Sequence, residues 1–292
     1  MTRGLPTTCR ACGSRATIRL GALPIGSEFA GLALDPPLAG GELVRCTSCC
    51  LLFRHPILNM ADYNALYGRA SATFWGRGDD LRPDQKLVKT LIERERPAAA
   101  RVLDVGCYSG DLLASLSGRY EKFGVEQCRA AVERARGRGI TILGEDLYAM
   151  DLQGQRFDVI VAMDVVEHTV DPEAFVRRLL GCLADNGILV LTTADADNAI
   201  WRLSGSAFWY CANPEHISFI STRWLRAAEN RGTFRIHSLE RFRYAERKFV
   251  NRIAKWLVIA VRRALHAPIR SSWTAHISRD HVLVVLGRPA GS

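Results

Sequence analysis

From residue 101 onward, short apolar runs alternate with stretches of helical periodicity. RVLDVG, KFGVE, ITILG, FDVIVAM and GILVLTT read as five strands, separated by helices near residues 111 to 117, 129 to 138 and 171 to 183. Two further strands are expected, one around Phe234 to Leu239 and a last one at HVLVVLG, residues 281 to 287. Regular alternation of strand and helix demands right-handed crossovers, so the expected fold class is α/β with a doubly wound, mostly parallel sheet of seven strands. In such sheets ligands bind beyond the carboxyl ends of the strands, which is where candidate chemistry belongs.

Upstream the pattern changes. Residues 1 to 58 are rich in Gly, Pro and Cys with little periodicity, the mark of a small loop-rich module that needs a non-hydrophobic staple. Residues 59 to 96 read as a helical connector, with Leu87, Leu91 and Ile92 on one face and Pro97 closing it. The main domain then runs from 97 to 292, with a basic amphipathic insertion at 240 to 279 before the last strand.

Within that insertion, AERKFVNRIAKWLVIAVRRALH (residues 245 to 266) places Phe249, Ile253, Trp256, Leu257, Ala260, Val261 and Leu265 on one helical side. Lys248, Arg252, Lys255, Arg262 and Arg263 gather on the other, together with Ile259. Two readings stay open: a helix lying on an anionic membrane, or a lid or dimer helix packed against protein. Aromatics are not interleaved with the cations as a base-stacking platform would require, which disfavours nucleic acid.

Composition changes the picture in two ways. A chain of 292 residues that is 48% hydrophobic is long enough for one α/β core and an accessory module. No apolar run of roughly 18 residues is present and the N-terminus lacks a secretory h-region, so a soluble, cytoplasmic protein is expected, peripheral on the inner membrane face if the membrane reading holds. The formal net charge of +9 is unevenly spread: residues 223 to 292 carry 15 Lys and Arg against 4 Asp and Glu. That bias belongs to the C-terminal quarter and favours an anionic surface or substrate.

Candidate chemistry begins at LDVGCYSG, residues 103 to 110, where Asp104 ends a strand and Gly106, Cys107 and Gly110 form the turn into a helix. Glycine suits a backbone that must turn tightly and approach a ligand. A nicotinamide-binding loop would need glycine where Tyr108 and Asp111 stand, so that reading is weak. Glu126, 22 positions beyond Asp104, is placed to accept both hydroxyls of a ribose, and Asp146 to accept from an adenine amino group. Three acids at successive strand ends form a nucleoside pocket.

The series LDVGCYSG, GVEQ, GED, FDVIVAMDVVEHTVDP, LADNGILVLTT and NPEHISFISTRWLRAAENRG resembles the class I S-adenosylmethionine (SAM) dependent methyltransferases, in particular the bacterial branch that includes the ubiquinone-biosynthesis O-methyltransferases. The resemblance covers about residues 99 to 232, with the strand at 281 to 287 completing a Rossmann-like sheet. It implies SAM as cofactor, with Gly106 and Gly110 at its amino-acid end, Glu126 at the ribose, Asp146 and Leu147 at the adenine, and Met163 and Asp164 near the sulfonium.

Methyl transfer asks the protein to hold donor and acceptor in near-attack geometry, and a hydroxyl acceptor must also lose a proton. His168 and His216 are the candidate bases. Glu167 adjoins His168, and in the ubiquinone enzymes an EH pair at this position is linked to a divalent metal. A cap on the helix beginning near Asp171 is the alternative role for this stretch. Trp201, Trp209 and Tyr210 read equally as an acceptor wall or as core.

Cys9-x-x-Cys12 and Cys46-x-x-Cys49, with 33 residues between the pairs, have the layout of a closed tetrahedral zinc site in a zinc-ribbon-like module. Cys107, Cys128, Cys182 and Cys211 read as packed small hydrophobes. CRACG and CTSCCLLFRHP resemble the N-terminal zinc-binding segment of deoxysugar C-methyltransferases and related glycan-cluster enzymes, with Cys50 standing where that pattern has Gly. The expected activity is methylation of a small-molecule acceptor, at oxygen, on a sugar nucleotide, glycan intermediate or lipid-linked glycan. An RNA or protein methyltransferase and a non-catalytic SAM- and zinc-binding protein are the alternatives, and the sequence leaves the oligomeric state open.

Overall fold

The computed structural model describes residues 7–69, 80–144, 152, 154–243, 249–265, 274 and 278–289. The centre of the main sheet takes its strands from unbroken apolar runs, because strands covered by helices on both faces bury successive side chains in both directions, while strands nearer the edges keep exposed polar positions. In chain order these are β6 (Ala100–Val105), β7 (Tyr120–Val125), β8 (Thr141–Gly144), β9 (Phe157–Met163), β10 (Leu183–Ala194), β12 (Arg235–Phe242) and β13 (His281–Gly287). They lie in the order β12-β13-β10-β9-β6-β7-β8. β13 runs antiparallel to both β10 and β12, and the pairings from β10 to β8 are parallel. All seven expected strands are present. Strand order reverses between β6 and β9, and at that switch point an open α/β sheet forms its crevice.

Helices α3 (Asp111–Ser115), α4 (Arg129–Gly137) and α5 (Pro172–Gly181) supply the crossovers, and α7 (Thr222–Asn230) precedes β12. Asp171 caps α5 by accepting from the backbone N–H groups of Glu173 and Ala174. α1 (Met60–Gly68) and α2 (Pro83–Glu95) form the connector. On α2 the buried face consists of Asp84, Gln85, Val88, Leu91 and Ile92. Leu87 is a correction: it is 44% exposed. Val88 takes the inward position because it sits one turn from both Asp84 and Ile92.

The N-terminal segment also differs from the loop-rich expectation. It forms β1 (Thr17–Ala22), β2 (Gly26–Phe29), β3 (Leu32–Leu38), β4 (Glu42–Cys46) and β5 (Leu52–His55). β2 pairs with β3, while β1, β4 and β5 form a sheet whose fourth member, β11 (Ser218–Phe219), comes from the chain beyond β10. The two parts share a core: Cys46, Leu51 and Phe53 pack in one buried cluster with Val105, Leu191 and Trp224. α6 (Ala199–Ser204) and α8 (Phe249–Ala264) lie against each other, with Ile259 and Trp201 in one cluster.

Candidate active site

The loop after β6 gives the site its floor. Gly106 has φ +75°, and a Cβ there would stand 2.6 Å from Cγ2 of Val165. Gly110, also at φ +75°, starts α3, and a Cβ there would collide with Ile140. Both positions therefore demand glycine, by backbone conformation and by space. The backbone N–H groups of Gly106 and Cys107 donate to the Val125 carbonyl at 2.8 and 3.1 Å, fastening the loop to β7. Glu126, just past β7, accepts from the N–H of Tyr108 at 2.8 Å and of Cys128 at 2.7 Å. Its carboxylate is thus fixed in orientation, although burial raises its pKa against the effect of those bonds.

Asp104 occupies the centre of this floor. It is 2% exposed, and among the described residues its Oδ1 has no hydrogen-bond partner. Burial pushes its carboxyl up to about 8, with Arg82 pulling in the opposite direction. A buried acceptor lacking a donor is a place for a ligand's cationic or N–H group.

At the other end, β9 delivers Met163 and then Asp164 at φ +51°, followed by a single 3₁₀ turn at Val166–His168. His168 Nδ1 lies 2.7 Å from the Tyr67 hydroxyl and 3.1 Å from the Glu215 carbonyl. The stretch that follows does cap α5, through Asp171, while His168 itself turns to Tyr67 and Glu215. His216 Nδ1 lies 2.9 Å from the Tyr210 carbonyl, which only accepts, so the proton sits on Nδ1 and Nε2 is the basic nitrogen. Burial lowers both imidazoles, His168 to about 4 and His216 well below its usual value, so both are neutral at ordinary pH. Their rings are 5.0 Å apart.

Glu167 is fully buried and accepts from the hydroxyls of Tyr210 and Thr193. Burial and the charge of Asp164 push its carboxyl up to about 8. One ligand atom from each of Glu167, His168 and His216 falls within 4.8 Å of the others, so the three could hold a divalent cation.

A cavity of about 370 Å³ joins the two ends. Asp104, Gly106, Cys107, Glu126, Met163 and Asp164 line one part, and His168, Trp209, Tyr210, His216 and His281 the other. Glu167 stands behind Tyr210 instead of on the wall. Gly110 turns the loop without lining it, and Asp146 and Leu147 lie outside the described residues. Trp201 is core, stacked on Phe208 at 4.5 Å. Sequence reasoning missed Met60, Asn64, Tyr67, Arg82, Gln85, Glu215 and His281, which all reach the cavity. Arg82 carried one signal, its place just before Pro83 at the start of α2, where Gln85 caps its N–H at 2.9 Å.

The four N-terminal cysteines converge. Sγ of Cys9 lies 3.6 Å from that of Cys49, and Sγ of Cys12 lies 3.6 Å from that of Cys46. Ligand sulfurs around a tetrahedral ion with Zn–S bonds of about 2.3 Å lie about 3.8 Å apart, so the cluster could hold one. Its hydrogen bond from Cys49 lowers the Cys9 thiol to about 5 and raises that of Cys49. Cys50 is outside the cluster and has φ +66°, the left-handed conformation that a Gly would adopt freely. Cys107, Cys128, Cys182 and Cys211 are buried, and burial raises the thiols of Cys107, Cys182 and Cys211.

This sheet order, with a glycine turn and an acid after its first two strands and a cavity at the switch point, is that of the class I SAM-dependent methyltransferases. Residues 80–239 match a family described as a methyltransferase domain, and the chain belongs to that family. The ubiquinone biosynthesis O-methyltransferase of Histophilus somni is 25% identical over 154 residues, covering 47% of this chain and 65% of that protein. The enzyme of the same name from Bradyrhizobium diazoefficiens is 28% identical over 160 residues, covering 47% and 62%. The chain thus spans less than two thirds of these relatives' length. Among solved structures, the N-methyltransferase NodS from Bradyrhizobium japonicum is 14% identical with a TM-score of 0.47, over 73% of this chain and 94% of that one.

Proposed function

We propose that this enzyme transfers the methyl group of SAM to a hydroxyl of a small-molecule acceptor, a sugar, glycan intermediate or lipid-linked glycan. The observation that carries the reading is the continuous cavity: a buried Asp104 carboxyl, whose Oδ1 has no hydrogen-bond partner among the described residues, and a backbone-fixed Glu126 at one end, a neutral histidine pair and two aromatics at the other. SAM supplies an activated methyl group on a positive sulfur. Asp104 receives its α-amino group beside the Gly106–Gly110 turn, and Glu126 its ribose hydroxyls. Asp146 and Leu147 hold the adenine, and Met163 and Asp164 flank the methyl group.

At the acceptor end His216 takes the hydroxyl proton at Nε2, a role open to it because burial keeps the ring neutral and Nδ1 is already committed to the Tyr210 carbonyl. His168 fixes the acceptor's other polar groups, and Glu167 orients Tyr210. The similarity to O-methyltransferases supports oxygen as the methylated atom, and the resemblance of the cysteine segment to glycan-cluster enzymes supports a sugar-like acceptor. We assign residues 1–58 to a zinc-ribbon-like module with one structural Zn²⁺ on Cys9, Cys12, Cys46 and Cys49, residues 59–96 to the connector and 97–292 to the catalytic domain.

The test is methyl transfer from labelled SAM to a panel of sugar nucleotides and polyprenyl-linked sugars, with His216→Asn alongside. Transfer that falls on the order of a hundredfold in the variant while SAM binding is unchanged supports the assignment. Equal turnover in both removes His216 from the mechanism.

A further inference from the structure

Helix α8 is mounted inside out. In a surface helix the apolar stripe normally faces the core, yet here, among the side chains described, the one fully buried is Ile259, packed in the cluster of Trp201 and Phe208. Leu257 and Val261, two positions to either side, lie about 160° around the helix from it. They are 59% and 55% exposed, and Leu265 is 71% exposed. Ile253, Trp256 and Val258 are exposed as well. Among the side chains described, the apolar side is the one turned to solvent, and Ile259 on the cationic side is the anchor.

We propose that this face seats the enzyme on an anionic lipid bilayer, with α8 lying in the headgroup boundary. The argument for lipid is charge together with shape. α8 carries no acidic residue, Arg263 is exposed at the edge of the apolar stripe, and residues 223 to 292 hold 15 basic against 4 acidic side chains. A negatively charged headgroup layer complements that charge while its acyl region takes the stripe, with Trp256 at the boundary between them. No helix among the described residues is long and apolar enough to cross a membrane. This inference does not depend on the identity of the acceptor.

The experiment is co-sedimentation of the full chain with phosphatidylcholine vesicles, with and without phosphatidylglycerol, for the wild type and for Leu257→Asp/Val261→Asp. Both side chains are exposed, so the variant keeps its melting temperature and SAM affinity; those two measurements confirm that it is folded. The wild type is expected on the phosphatidylglycerol vesicles, with partitioning reduced on the order of tenfold in the variant and by high salt. A wild type that stays in the supernatant, or binds no better than the folded variant, overturns the proposal. So does a wild-type dimer, seen by light scattering, that the variant converts to monomer, because the stripe would then be an interface between copies of this chain.

Discussion

The side-chain Nε of Arg54 donates to the main-chain carbonyl of His216 across 3.1 Å, joining residues 162 positions apart in the sequence. The same guanidinium reaches the carbonyls of Gly40, Cys211 and Asn213. Arg54 is 3% exposed, and its charge is held by backbone dipoles. The segment from Cys211 to His216, which carries the histidine end of the cavity, is thereby hung on β5 of the cysteine-bearing sheet. Arg54→Leu leaves four carbonyls without that donor. A loss of about 3 kcal/mol or more is expected in urea unfolding, and acceptor turnover should fall further than SAM affinity. Stability within about 0.5 kcal/mol of wild type would show that the carbonyls find other partners.

Asp104 gives the site a definite pH dependence. Its folded value of about 8 lies above the ordinary 3.8, so in the free protein the neutral carboxyl is favoured and a cationic ligand must displace its proton. SAM affinity should therefore rise with pH, by close to tenfold per unit well below the folded value, and level off above it. The same shift makes the ionised form of Asp104 a stability cost: stability is highest below the unfolded value and falls as pH rises from about 4 through about 8. Asp104→Asn should bind SAM weakly with a flat profile. Calorimetry in two buffers of different ionisation enthalpy reads the proton release directly; no difference between the buffers would contradict the assignment.

Cys50 holds a left-handed φ of +66° at a position where glycine carries no Cβ penalty. Because it lies outside the four-sulfur cluster, Cys50→Gly is expected to raise stability by up to about 1 kcal/mol without changing metal content. A drop in bound metal would make Cys50 a ligand.

The cysteine cluster should retain one zinc per chain, and Cys46→Ser should lose it. Since Cys46 is buried in the same cluster as Val105 and Trp224, the loss should lower the melting temperature of the whole chain in one transition. Separate melting of an N-terminal part would contradict the shared core.

The legible part of the fold was the main sheet. Val102 to Val105 and Val159 to Met163 are buried on both faces, and that leaves unbroken apolar runs in the sequence. Met163 was legible for the same reason, since it ends such a run, and Asp104 because it stands next to the end of another; Glu126 follows the more polar strand Tyr120–Val125 and was legible from its spacing to Asp104. β1 and β3 were not legible: their side chains are half or fully exposed, and β3 contains two prolines, so alternation is lost. β11, two residues long, exists through its pairing with Phe53 and Leu52. Tyr67, Arg82 and Glu215 reach the cavity from three separate segments, and such convergence is a property of tertiary packing that local pattern does not encode.

The most direct test of the central claim, that the Asp104–Glu126 end of the cavity is the SAM site, is calorimetric titration of SAM into the wild type and into Glu126→Ala. Micromolar affinity in the wild type, weakened on the order of a hundredfold in the variant with its fold intact, is expected. A folded wild type that does not bind SAM, or a variant that binds it equally well, would contradict the account.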